Sequence, residues 1–259
     1  QSRSSAASDV YKRQEMTYAD LGSEEYPQKF YMEYVPCNTG QNWSPENFNT
    51  DMLPEWQDLL VETNSTLVEA FGIGFEGEKP EGTEEDGYWQ LLWNSKEDAE
   101  AGWETWEGYD KTADWAEANA DILACGSKAD TFSFDAYVRR SRDGLGTFDL
   151  TAFSSEYQFC TYNEGQGVDE LISVIDDFED WLVSDENSLD SPYTYVVLAP
   201  DYETEEFDLA WGNFHQSKEM REAGLANFLD TAPEIQEAFD KVLSCQEPNG
   251  FNSGQIPLI

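Results

Sequence analysis

The stretch Ser95-Lys-Glu-Asp-Ala-Glu-Ala-Gly102 recurs as Ser217-Lys-Glu-Met-Arg-Glu-Ala-Gly224, with six of the eight positions identical. A second match lies upstream, where Tyr34-Val-Pro-Cys37 corresponds to Tyr157-Gln-Phe-Cys160. Both matches keep the same order along the chain and a spacing of about 120 residues, which indicates a tandem duplication of one folding unit.

The four cysteines follow the same repeat. Cys37 and Cys125 are separated by nearly the same length of chain as Cys160 and Cys245. Four cysteines allow three pairings, and only Cys37–Cys125 with Cys160–Cys245 respects the repeat. Two such disulfides predict an oxidising compartment, either the periplasm or the outside of the cell. The alternatives are four reduced, buried thiols or a metal site, and the absence of any CxxC spacing argues against the metal site.

The composition indicates a folded chain with a strongly acidic surface. Apolar residues make up 39% of the 259 residues and aromatic residues 14%, which is enough for a core. Asp and Glu number 54 against 14 Lys and Arg, so the formal net charge is -40. This charge repels phosphates and anionic lipids, and we predict neither a nucleic-acid nor a membrane partner. A solvated surface explains the acidity; binding of cations or of a basic partner is the alternative.

Each repeat predicts the element order β-α-β-β-α-β. In the first repeat the strands are predicted at 30–35, 67–75, 88–93 and 131–138. In the second they are predicted at 155–162, 193–199, 207–211 and, weakly, within 251–259. Ser44 and Ser95 are predicted helix caps, because serine accepts hydrogen bonds from the first free amides of a helix. The last helix of each repeat is predicted to end at its cysteine, at 113–125 and 232–245.

The predicted domain organisation has four parts. Residues 1–27 are expected to be disordered or foreign, and 1–15 resemble the spurious translated ends of environmental sequence assemblies, which suggests a bacterial source of that kind. Residues 28–140 form the first ferredoxin-like repeat, 141–150 a linker and 151–259 the second repeat, whose last strand we expect to be truncated. An export signal is not visible, and we expect it to have been lost with the true start.

The chain resembles a known superfamily. The pattern Trp-x-Ser-x-Glu-x-Ala-x-x-Gly, which begins at Trp93 and is echoed from Trp211 onward, is similar to that of the dimeric α+β barrel proteins. These include cofactor-free quinol monooxygenases, haem-degrading monooxygenases, muconolactone isomerase-like proteins and stress-responsive proteins. The resemblance implies an α+β fold in which two βαββαβ repeats pack their antiparallel sheets face to face. It also implies a monomer that behaves as a fused dimer.

Aromatic and amide residues near the strand ends are candidate ligand contacts. Trp93 and Asn94 are interpreted as the counterparts of Trp211 and Asn213. Inward-facing aromatic rings with an amide nearby suit a flat, apolar ligand between the sheets, and they equally suit a dry core. The strand tyrosines could add polar groups to such a cavity, and the two we select are Tyr34 and Tyr157.

The only histidine, His215, is the candidate catalytic residue. It is predicted just past a strand, has no counterpart in the first repeat, and could act as a general base. Haem degraders in the superfamily use Asn, Trp and His, but here Asn213, Trp211 and His215 are crowded into one strand end. Gly102 and Gly224 lie mid-helix, where close helix packing or ligand access would explain a glycine.

The sequence therefore predicts a barrel that binds a small aromatic or apolar molecule, with cofactor-free oxygenation as its possible chemistry. A non-enzymatic exported module with a filled core, interacting with partners or responding to stress, is the alternative, and haem binding is a weaker one. We predict no cofactor and no metal. The acidic stretches 76–87 and 176–190 lack the spacing of a calcium loop and are interpreted as solvated.

Overall fold

The structure is a computed structural model that describes residues 28–138, 148–189 and 191–258. The predicted N-terminal segment 1–27 and most of the predicted linker 141–150 lie outside the described residues.

The first repeat follows the predicted order. Ser44 and Ser95 cap their helices as predicted, by accepting hydrogen bonds from Asn47 and Asp98. A π-helical turn precedes Pro54, which lies in the first turn of the next helix, where it needs no amide hydrogen. The elements are β1 (Gln28–Thr39), α1 (Pro45–Asn47), α2 (Leu53–Glu62), β2 (Glu69–Phe75), β3 (Gly87–Trp93), α3 (Lys96–Glu107), α4 (Asp110–Asn119), β4 (Leu123–Cys125) and β5 (Phe132–Val138).

The second repeat has the same order with a single first helix. Ser217 caps its second helix through the amide of Met220. The elements are β6 (Phe153–Tyr162), α5 (Val168–Leu182), β7 (Tyr193–Pro200), β8 (Leu209–His215), α6 (Lys218–Thr231), α7 (Pro233–Val242), β9 (Leu243–Cys245) and β10 (Asn249–Ile256). The last strand pairs along both edges, with β2 and with β6.

Eight antiparallel strands close into one barrel. Around the barrel the order is β2-β3-β1-β5-β7-β8-β6-β10, and β10 returns to β2. Each repeat supplies four neighbouring strands, and the final strand of each repeat pairs with the second strand of the other. Closure satisfies the edge hydrogen bonds that two separate four-stranded sheets would leave open.

The interior of the barrel is packed with side chains. We expected an aromatic-lined space between the sheets, but the inward side chains of both repeats form one buried cluster there. It includes Met32, Tyr34, Ile73, Leu92, Phe134, Tyr157, Val196, Leu198, Phe207 and Phe251. Large aromatic residues on facing strands meet across a barrel of this size and fill it.

Two further hydrophobic layers lie outside the barrel. The first repeat packs α2, α3 and α4 against its strands, and the second packs α5 and α7 likewise. Both predicted disulfides are formed, Cys37–Cys125 and Cys160–Cys245. The prediction that the second cysteine of each pair ends a helix is wrong. It lies in a short strand, β4 or β9, directly opposite its partner.

Candidate functional site

The predicted ligand residues do not share one place. Tyr34 and Tyr157 lie inside the barrel, where their rings meet edge to face with centroids 5.6 Å apart. Trp93 and Trp211 lie on the outer face, each under the helices of its own repeat. Asn94 is exposed at the end of β3. The expectation that these residues line one space between the sheets is therefore wrong.

The strand register changes which residues of the two repeats correspond. In the first repeat Trp93 pairs with Tyr31, which lies six positions before Cys37. In the second repeat His215 pairs with Ser154, which lies six positions before Cys160. His215 is thus the counterpart of Trp93, and it lies within β8 rather than beyond it. The expectation that His215 has no counterpart is wrong.

By the same register, Trp211 corresponds to Trp89 and not to Trp93. Trp211 pairs with Gln158 across β6, and Trp89 pairs with Val35 across β1. Asn213, two residues along the strand, corresponds to Leu91. The amide on this face is therefore particular to the second repeat.

The mid-helix glycines support this correspondence. A Cβ atom on Gly102 would lie 2.6 Å from the Trp93 ring, and one on Gly224 would lie 2.9 Å from Cε1 of His215. Each glycine thus lets a helix approach the outward ring of its neighbouring strand. Packing of helix on sheet explains both glycines, and at Gly224 the ring also belongs to the cavity described next.

A cavity of about 460 Å³ lies between helices α5, α6 and α7 and the outer face of the strands of the second repeat. We call it the second-repeat cavity. Its walls include Trp211, Asn213, His215 and Leu225. The corresponding space in the first repeat measures about 180 Å³.

Two replaced tryptophans account for part of the difference in volume. In the first repeat Trp93 and Trp103 both donate their indole N–H to Glu33, at 2.9 Å and 2.6 Å. Their rings fill space between the strands and the helices. Glu33 is fully buried and also accepts from Lys128. In the second repeat the positions of the two tryptophans hold His215 and Leu225, which are smaller and leave room.

A hydrogen-bonded network forms the polar part of the second-repeat cavity. Oδ1 of Asn213 accepts from the indole of Trp211 at 2.9 Å and from the hydroxyl of Tyr193 at 2.8 Å. The amide of Asn213 donates to Glu156 at 3.3 Å. Asn213 is therefore oriented by its neighbours, since only one of its two ends can accept.

Arg221 of α6 is held by acidic partners. Its guanidinium lies 2.6 Å from Glu76 and 3.4 Å from Glu156, and it donates to Ser154 at 2.7 Å. Burial raises the pKa of Glu156, and the charge of Arg221 together with the hydrogen bond from Asn213 opposes this shift. These contacts leave the guanidinium little capacity for a further anion.

His215 is a buried imidazole with an unused nitrogen. It is 7% exposed, and its Nδ1 has no hydrogen-bond partner among the described residues. The ring of Tyr193 lies 4.8 Å from it. Burial, reinforced by the charge of Arg221, lowers the pKa of His215 to about 4, so the ring is neutral at pH 7. A neutral, unpaired imidazole can accept or donate one hydrogen bond from a bound molecule.

The sequence interpretation missed several lining residues. Glu156, Tyr193, Arg221 and Leu225 all contribute to the cavity. Aligning the repeats on Ser95 and Ser217, rather than on the tryptophans, would have shown that tryptophans give way to smaller side chains here.

The described part of the chain contains neither a metal-binding cluster nor a membrane-spanning helix. No group of three or more His, Cys, Asp and Glu side chains is placed to hold a metal ion within residues 28–138, 148–189 and 191–258. None of the helices in these ranges is both long and apolar enough to cross a membrane.

Solved structures with the same architecture are similar to this chain. Two mutants of chlorite dismutase from Candidatus Nitrospira defluvii each match with a TM-score of 0.50 and 8% sequence identity, covering 93% of this chain and 95% of the other. The chain is a fused dimeric α+β barrel. At this identity the likeness concerns the fold alone. No model of a protein family matches the sequence, and no curated protein matches it.

Haem does not fit the charges of the cavity of this α+β barrel. Glu156, Asp240 and Glu247 line the cavity. Within the described residues its only positively charged lining side chain is Arg221, which already pairs with Glu156 and Glu76. The two carboxylates of haem would meet like charges there, which is unfavourable at partly buried sites.

Proposed function

We propose that this protein binds a small, largely apolar molecule in the second-repeat cavity. The observation that carries the proposal is the exchange of Trp93 and Trp103 for His215 and Leu225 beside a cavity of about 460 Å³. A cavity of this size lined by aromatic rings and a few oriented polar groups is typical of a ligand site. An unpaired, buried Nδ1 on His215 supports it, because such an atom is costly unless a ligand pairs with it.

A fluorescence titration tests this proposal. The neutral dye N-phenyl-1-naphthylamine, whose emission rises in apolar surroundings, serves as the probe. We expect Leu225→Trp to fill the cavity and weaken dye binding by about tenfold or more, equivalent to about 1.4 kcal/mol. The matched control is Leu229→Trp, one turn further along α6, where an exposed leucine lies outside the cavity lining. Equal dye affinity in both variants, or no binding by the parent protein, would overturn the proposal.

Cofactor-free oxygenation inside this cavity is a second candidate function. Its support is the buried, unpaired Nδ1 of His215, which could accept a proton from a bound hydroquinone. The resulting carbanion reacts with O₂, so that one oxygen atom enters the ring to give a hydroxyquinone and the other leaves as water. Oxygen uptake with a panel of hydroquinones measures this reaction. In His215→Gln we expect kcat to fall by about a hundredfold and KM to change less. Oxygen uptake no faster than in buffer, or unaltered kcat in the variant, would remove this candidate.

We also propose a cellular compartment and an oligomeric state for the protein. The two disulfides support an oxidising compartment, periplasmic or secreted. The closed barrel supports a monomer, because the strands that would pair between two subunits already pair within one chain. Native mass spectrometry of the purified protein would show a single chain with both disulfides intact; a dimer would contradict the second point.

A further inference from the structure

Aromatic rings form a large part of the wall of the second-repeat cavity. Phe228 lies between Phe178 and Trp181, with centroid distances of 5.4 Å and 5.1 Å. Trp211 contacts Phe239 at 5.6 Å. The faces of aromatic rings carry partial negative charge and attract cations, most strongly for tryptophan.

Two exposed acids mark the outer part of the same cavity, and Oδ1 of one of them, Asp240, accepts a hydrogen bond from Gln236 at 2.8 Å. Asp240 and Glu247 both line it and are both exposed. Asp240 lies in the last turn of α7, where the helix dipole is already negative and a cation is favoured. Lys241 is in the same turn but is not among the lining residues.

No positively charged lining group is free to oppose a cationic ligand in the described part of the cavity. Arg221 is engaged by Glu76 and Glu156. The net charge of -40 on the whole chain also draws cations toward the surface and repels anions.

A second, independent observation points to a ligand that also carries a hydrogen-bonding group. The Nδ1 atom of His215 is buried and unpaired within the described residues, while its ring lines the cavity. Tyr193 and Trp211, its polar neighbours, both already donate to Asn213.

We propose that the ligand of the second-repeat cavity is a protonated amine on an aromatic or apolar body. The body packs among the rings around Phe178 and Trp211, and the ammonium group lies at the acidic rim of Asp240 and Glu247. A polar group elsewhere on the ligand pairs with His215. This inference rests on the proposed ligand-binding function and adds the chemical class of the ligand.

Three probes on one skeleton separate charge from shape. Tyramine carries an ammonium group, 2-(4-hydroxyphenyl)ethanol is its neutral analogue, and 3-(4-hydroxyphenyl)propanoate carries a carboxylate. We expect calorimetry on the full-length protein to show tyramine binding about tenfold more tightly than the neutral analogue. The carboxylate should show no measurable binding. Raising the salt concentration should weaken tyramine binding and leave the neutral analogue unchanged.

Two double variants then test whether the ammonium group of tyramine binds at Asp240 and Glu247. Asp240→Asn with Glu247→Gln should weaken tyramine binding by about tenfold and hardly affect the neutral analogue. The control is Asp114→Asn with Glu117→Gln, which removes the same charge from two exposed positions of α4 in the first repeat. It should not alter the ratio of the affinities for tyramine and for the neutral analogue.

The outcomes distinguish this inference from the function on which it rests. If the neutral dye binds and Leu225→Trp weakens it, but tyramine binds no better than the neutral analogue, only the amine inference is overturned. If tyramine is preferred equally in the rim variant and the control, the amine lies elsewhere and the inference is again overturned. If neither the dye nor any of the three probes binds, both proposals fail.

Discussion

Single residues decide how the two repeats differ. Glu33 and Glu156 occupy corresponding strand positions, but Glu33 is closed in by two tryptophans whereas Glu156 faces a cavity beside His215. A buried carboxylate needs several donors to offset its lost hydration, and the indoles and Lys128 provide them for Glu33. The first repeat therefore fills the space between strands and helices around Glu33, and the second has there the cavity in which we propose that a ligand binds.

The buried imidazole of His215 should make stability depend on pH. Its pKa of about 4 in the folded protein lies below the usual value of about 6.5, so the unfolded chain takes up the proton first. Stability is therefore lost as pH falls from about 6.5 toward about 4. Between about pH 7 and about pH 4.5, the free energy of unfolding should drop about 2 kcal/mol more in the parent than in His215→Gln.

Urea titrations of both proteins at the two pH values measure this difference. The subtraction removes the shared effects of the many surface carboxylates. Parallel losses of stability in the parent and the variant would show that His215 is not buried in its neutral form.

At the scale of elements, corresponding helices pack differently on the barrel. Helix α3 buries Ala99 and Trp103, whereas α6 has no fully buried residue and exposes Met220, Leu225 and Leu229. A helix that buries little apolar area is held weakly, so α6 is the part of the cavity wall we expect to open most easily.

The disulfides link β4 to β1 and β9 to β6, and we expect each disulfide to stabilise the fold. Each closes a loop of more than 80 residues. On the chain-entropy account, replacing either pair with serine should cost about 4–5 kcal/mol. Cys160 and Cys245 line the second-repeat cavity, whereas Cys37 and Cys125 do not. Loss of the Cys160–Cys245 disulfide should therefore also weaken dye binding, and loss of the other disulfide should not.

Denaturant unfolding and dye titration of the two double-serine variants test this prediction. The first-repeat pair serves as the matched control for the second. Equal dye affinity in both variants would mean that β9 does not shape the cavity.

At the scale of the molecule, the two repeats are joined by strands and by ion pairs. The closing strands β5 and β10 each pair with the other repeat. Two ion pairs also join the repeats: Lys96 lies 2.5 Å from Asp201, and Arg221 lies 2.6 Å from Glu76. Among the described residues the ion pairs are few compared with the net charge of -40 on the chain, so repulsion between carboxylates opposes the compact state.

Salt should therefore stabilise the protein. Raising NaCl from about 0.05 M to about 1 M shortens the Debye length to about 3 Å and should raise Tm by several degrees. A variant with Glu78, Glu81 and Glu84 changed to Gln should have a higher Tm at low salt and a smaller rise. A Tm that falls with salt in the parent protein would show that attractive ion pairs outweigh the repulsion.

Local patterns and the internal repeat predicted the order of the main strands and helices and the two disulfides, and the resemblance to the α+β barrel proteins added the barrel class. The short strands β4 and β9 were not predicted. Serine caps, alternating strands and cysteines at matching positions carry this information, because each depends on residues close in sequence or on the repeat itself. Strand alternation also shows that neighbouring side chains face opposite sides of a sheet.

Alternation alone does not say which side of a strand faces the barrel interior, and this became known from the three-dimensional packing of the strands. It placed Tyr34 and Tyr157 inside the packed barrel and Trp211, Asn213 and His215 outside it. A shift of register by one residue exchanges the two faces, and the register depends on contacts between distant strands. The fold could therefore be predicted from patterns along the chain, whereas the position of the cavity could not, because it depends on how distant strands and helices pack.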